Sequence, residues 1–98
     1  MTRENLIEII KRTWANVMPK AVPLPDDYAA FLWSKKHIDD IVYSIQRSGE
    51  KMAKLLSEGQ TVSIEQAQRY TTSILMSRTE WRRERQARTE IDGSREAL

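Results

Sequence analysis

Apolar residues return along most of this chain at three- and four-residue intervals, the mark of helices that bury one face. Leu6, Ile7, Ile10, Trp14, Val17 and Met18 form the first stripe, with Thr2 placed to cap it, and predict a helix over about 3–18. Pro19 stops that helix. Pro23 and Pro25 push the residues before them out of the helical region, so 19–25 reads as a stiff connector. Val22-Pro23-Leu24-Pro25 also spells a polyproline ligand, but its place between two helices favours the linker reading. Asp26 or Asp27 can cap a short second helix over about 26–35, with Tyr28, Phe31 and Leu32 inward; it either ends at the polar run Ser34-Lys35-Lys36-His37 or continues into the next helix.

Ile38, Ile41, Val42, Ile45, Met52, Leu55 and Leu56 predict a third helix over about 38–58 on a seven-residue recurrence. Ser48 and Gly49 interrupt the stripe. A glycine there costs about 1 kcal/mol of helix propensity, so it marks a close backbone approach or a kink. Gly59 is placed as a C-cap, and 57–61 reads as the turn. Ser63-Ile64-Glu65-Gln66 then has the form of a capping box, with Val62 and Ala67 spaced as a hydrophobic staple. The fourth helix, about 63–90, carries Ala67, Tyr70, Thr71, Ile74, Leu75, Arg78 and Trp81. After Trp81 the run RRERQARTE offers only Ala87 before Ile91, so the last turns leave the core, and 92–98 reads as a disordered tail.

These elements predict an all-α fold in one domain over 1–91, a helical hairpin of two long helices with the first helix and a short second helix packed across it. Composition agrees. The chain has 98 residues, of which 40% are apolar and 31% charged, with three glycines and no cysteine. At that size an enclosed catalytic cavity competes with the core for side chains, which disfavours a conventional enzyme. No cysteine means no disulfide framework, no thiolate nucleophile and no Cys-based zinc site. The N-terminus interleaves charge with apolar residues, unlike a signal peptide, and no segment approaches a membrane span, so a cytoplasmic protein without a membrane partner is expected.

Candidate chemistry is sparse. His37 is the one histidine, and a metal site needs three or four converging ligands, so neither a metal nor another cofactor is expected. Asp39 and Asp40 are adjacent, point about 100° apart on a helix, and are expected to face the positive end of the third helix rather than act as an acid–base pair. The serines have no histidine to activate them, and no phosphate-cradling glycine loop exists. No catalytic residue is assigned.

Net charge is only +2, too little for a protein that coats nucleic acid, yet every basic residue after Lys54 is an arginine. Arg78, Arg82 and Arg85 share one face of the fourth helix, and Trp81, Arg85 and Arg88 share its neighbour. Guanidinium forks beside an indole can hold a phosphodiester, a nucleotide or an acidic protein surface. Against this, Glu80, Glu84 and Glu90 can compensate the arginines on an ordinary solvated face. A second candidate is Trp33. Phe31-Leu32-Trp33 cannot all be buried on one face, and an exposed Trp33 beside Lys35 and Lys36 would be a protein-docking spot. The apolar stripes exceed what two antiparallel helices cover, so a homodimer is expected. The expected function is a small non-enzymatic interaction module that occupies or bridges an unidentified protein partner, in the style of phage or mobile-element accessory proteins by size alone. The alternative is an accessory nucleic-acid or nucleotide binder using the arginine and tryptophan face.

Overall fold

The computed structural model describes residues 2–96, with side chains described as far as Gln86. Four helices, α1 (Arg3–Val17), α2 (Asp26–Trp33), α3 (Ile38–Ser57) and α4 (Ile64–Glu96), form a small all-α bundle with no strand among the described residues. α3 and α4 make the long hairpin, α1 lies along α3, and α2 packs on α1.

The boundaries follow local chemistry. Thr2 accepts the Asn5 N–H at 3.2 Å and opens α1. α2 is capped not by an aspartate side chain at the N-cap but by Pro25, whose φ of −67° is already set; Asp26 and Asp27 sit inside the first turn, where their charges face the helix's positive end. α2 then stops at Trp33, two residues short of the expected end. The His37 N–H donates to the Lys35 carbonyl at 2.9 Å, closing a three-residue turn across Lys36, which holds φ at 69°. That turn separates α2 from α3.

α3 ends as a Schellman motif. Gly59 takes φ 82°, the Gln60 N–H donates to the Leu55 carbonyl at 2.9 Å, and the Gly59 N–H donates to the Leu56 carbonyl at 3.0 Å. Ser63 Oγ accepts the Gln66 N–H at 3.1 Å, the hydroxyl half of the expected capping box. α4 reaches Glu96, beyond the expected end near 90 and through most of the stretch read as a tail. No proline follows Pro25, and the single Gly93 costs about 1 kcal/mol, too little to break a helix this long. Residues 97 and 98 lie outside the described residues.

The core joins Ile10 and Trp14 of α1, Leu32 of α2, Ile41, Ile45 and Met52 of α3, and Ala67 and Leu75 of α4. Buried Trp14 donates its Nε1–H to the Val22 carbonyl at 2.8 Å, which folds the proline connector back over α1. The Tyr28 hydroxyl donates to the Gln68 carbonyl at 3.0 Å and so ties α2 to α4. At the middle of α3 the interruption proves to be a close approach within one continuous helix. A Cβ on Gly49 would stand 2.7 Å from the Val17 carbonyl oxygen, and buried Ser48 donates its hydroxyl to the Ala67 carbonyl at 3.2 Å. Small residues here let α1 and α4 both come close to the α3 backbone.

Candidate functional site

Leu75 is the last buried apolar residue of α4 among the described side chains, and from there on α4 meets α3 through charge. The antiparallel hairpin sets the start of α3 opposite the turns of α4 that carry Arg78 and Arg82, one above the other at i and i+4. Both reach the same carboxylate. Arg78 donates Nε–H to Asp40 Oδ1 at 2.9 Å, and Arg82 donates Nε–H to Oδ2 and Nη2–H to Oδ1, the latter at 3.2 Å. Asp40 is only 1% exposed, whereas the two arginine side chains are 36% and 41% exposed, so the pair seals the carboxylate from solvent with its own outer edges wet.

Burial pushes the Asp40 carboxyl up. The hydrogen bonds from Arg82 and Arg78, with their positive charges, outweigh that and hold it below the ordinary carboxylate range. The Arg82 guanidinium is correspondingly raised, first by its hydrogen bond to Asp40. The Arg78 guanidinium also lies over the Tyr43 ring at 4.3 Å, so it is held by two groups one helical turn apart.

This changes the meaning of the arginine series. Arg78 and Arg82, expected to face a ligand, spend their forks on Asp40. Asp40, expected with Asp39 at the positive end of α3, does lie in the first turn, but its carboxylate is held by α4. Trp81 is the most exposed large apolar residue among the described ones, at 52%, and the Arg85 guanidinium lies over its ring at 5.3 Å. Arg88 lies outside the described side chains.

The second candidate spot is not assembled as expected. Leu32 takes the buried position, while Phe31 and Trp33 are each half-buried, with Lys35 over the Phe31 ring at 4.7 Å and Arg3 of α1 over the Trp33 ring at 4.8 Å. Trp33 is therefore covered by a cation from the neighbouring helix rather than presented beside Lys35 and Lys36. α1 ends up close enough to do this because α2 folds back along it, an arrangement periodicity alone does not specify.

The turn before α3 faces the same stretch of α4. A cleft of about 510 Å3 is lined by Lys35, His37, Met76, Thr79, Arg82 and Arg83, and a second of about 370 Å3 by His37, Trp81, Arg82 and Arg85. His37, Arg82 and Gln86 line both, so the two clefts adjoin along the groove between this turn and α4. Among the described residues no three histidine or acidic side chains are placed to hold a metal, and no helix is long and apolar enough to cross a membrane.

What sequence reasoning missed is the role of Asp40 as the buried anchor of Arg78 and Arg82. Its signal is the i, i+4 series Asp40, Ser44, Ser48, which runs beside the apolar stripe and is buried along its whole length. A carboxylate on a buried series requires cationic partners, and Arg78 and Arg82 at the same spacing supply them. No protein-family model, curated protein or solved structure matches this chain, and the functional reading rests on this geometry.

Proposed function

We propose that the protein is a non-enzymatic docking module that engages a protein partner through the part of α4 beyond the core. One observation carries this reading: Trp81 is 52% exposed on a turn anchored from beneath by the Asp40 clamp, with Arg85 across its ring. Tryptophan and arginine dominate the energetics of protein interfaces, and a side chain presented from a fixed helix loses little entropy on binding. Trp81 lies 17 residues after Ile64, the first residue of α4, which sets it roughly 26 Å along the helix from the α3–α4 turn at 1.5 Å per residue.

A phosphodiester grip receives less support, because two of its four arginines, Arg78 and Arg82, already face a carboxylate. The test is capture from native lysate, nucleic acid retained, with the wild-type chain and with Trp81→Ala. A protein held by the first and lost by the second, and weakened by moderate salt less steeply than an oligonucleotide is, supports docking. A generic oligonucleotide that binds steeply salt-dependently and is released by Arg85→Ala would overturn it in favour of nucleic acid. Light scattering at high micromolar concentration separates a foreign partner from self-pairing across the exposed Tyr43 and Tyr70: a dimer that Trp81→Ala leaves intact is a different interface.

A further inference from the structure

We infer that the groove between the Ser34–His37 turn and α4 receives an acidic, extended peptide segment of the partner. The inference rests on the docking reading and names the chemistry of what docks. Residues 34–40 and 76–86 together hold six basic and four acidic side chains, a surplus of +2 that equals the surplus of the entire chain. Everything outside the groove region is charge-balanced, ten against ten. The formal surplus of the chain therefore falls in the two segments that flank the groove, whose lining holds Lys35, Arg82, Arg83 and Arg85 against Glu80.

The cations differ in what they already do. Arg78 and Arg82 are held by Asp40, and Lys35 lies over Phe31. Arg83, which lines the cleft, and Lys36, in the turn between its lining residues Lys35 and His37, are both exposed and make no ion pair among the described residues. Lys36 has backbone that lysine seldom adopts, φ 69°, in the three-residue turn that carries the cleft's Lys35 and His37. Met76 gives the groove an apolar wall and Trp81 borders its far end.

A polyanion such as single-stranded nucleic acid fits this less well. Glu80 lines the same cleft and Asp39 and Glu84 lie within the same two segments, so a uniformly charged strand meets repulsion along its path. A peptide with two or three carboxylates and one apolar side chain can set its charges against Lys36 and Arg83 and its apolar group on Met76 or Trp81.

The probe is a fluorescein-labelled decapeptide with three Glu and one central Leu in a Gly/Ser background, titrated by anisotropy at about 50 mM salt, near the low end of the usual salt range. Binding is expected to weaken about tenfold in Lys36→Gly with Arg83→Glu, and to change less than about twofold in Arg69→Glu, which lies on another part of α4. Both changes leave the Asp40 clamp intact, and circular dichroism melts check that the variants fold. The inference is overturned if the decapeptide does not bind, if Arg69→Glu weakens it as much as the groove variant, or if a single-stranded oligonucleotide of equal charge binds more tightly. If the decapeptide fails while Trp81-dependent capture of a protein persists, this inference falls and the docking reading stands. If capture fails and the decapeptide still binds with the expected variant pattern, the groove's chemistry holds without that reading.

Discussion

α3 meets its neighbours in two ways that differ in kind. At its middle, Ser44, Ser48 and Gly49 remove side-chain bulk, so α1 and α4 approach the backbone and the contact is dry and steric. At its start, Asp40 puts a charge into the interface, and α4 answers with two arginines whose outer edges remain in water. The first contact depends on shape and is indifferent to pH and salt; the second depends on ionisation. Where apolar surface runs out along α4, an ion cluster continues the registration of the hairpin and leaves Trp81, on the same turns, outside.

The largest break in this comparison comes from the steric side. Ile45 is fully buried one turn before Ser48 and Gly49, and Ile45→Ala should destabilise the fold by about 4 kcal/mol, through lost transfer energy plus a cavity that such close packing cannot collapse. Urea unfolding should show this loss unchanged between about pH 7 and pH 5, because no titrating group is involved. A loss that varied with pH would mean the two ends of α3 are coupled.

Removing both arginines of the clamp, Arg78→Ala with Arg82→Ala, should cost about 3 kcal/mol at neutral pH, the low end for an orphaned buried charge because their departure admits water. This cost should depend on pH. The wild-type Asp40 carboxyl is held low, so its stabilisation is full above the unfolded value of about 4 and is lost as pH falls through the folded value. In the double variant, burial without partners raises the carboxyl, and acid relieves its penalty. Wild type and variant should therefore converge on acidification, and a constant gap down to about pH 3 would show that Asp40 is not the group that matters. Asp40→Asn, which keeps the shape, should lose less than the double variant and flatten the acid limb.

How much of this could be read from sequence divides along the same line. Periodicity and caps carried the helices: Thr2, Ser63 and Gly59 act where their residue types and positions predict, because capping is a local reaction between a side chain and the nearest free backbone groups. Gly49 was legible as a close approach or a kink, but neither which of the two nor its partner, Val17, could be read, because Val17 comes from a different helix. The fate of the arginines was illegible for that reason. Whether a guanidinium faces solvent or a carboxylate 38 residues away depends on hairpin register, and the local pattern around Arg78 is the same in both cases. Trp33 was misplaced likewise, since the Arg3 that covers it belongs to α1.

Gly49→Ala sharpens the steric side. The new methyl would stand 2.7 Å from the Val17 carbonyl oxygen and 2.9 Å from Val17 Cβ, contacts with backbone and branched carbon that cannot rotate away. The gain in helix propensity of about 1 kcal/mol is smaller than the cost of pushing α1 off α3, so a net loss of about 2 kcal/mol is expected in thermal or urea unfolding. A stabilised variant would show that α1 can shift freely on α3, against the reading of this contact as the tight one.

The smallest effect has the opposite sign and lies just before the ionic end. Lys36 holds φ at 69° in a turn closed by the His37 N–H on the Lys35 carbonyl, a form of three-residue turn that is strained for any residue with a side chain. Gly49 is a glycine needed for space at a helical position, whereas Lys36 is a residue with a side chain at a position whose backbone favours glycine. Lys36→Gly should therefore stabilise the protein by about 1 kcal/mol, less the extra freedom glycine gives the unfolded chain. The gain should appear in urea unfolding at neutral pH and persist at about 0.5 M salt, since it comes from backbone strain and not from charge. A gain that disappeared in salt would instead trace to repulsion among Lys35, Lys36 and the α4 arginines, and would shift the account of this turn from strain to that repulsion.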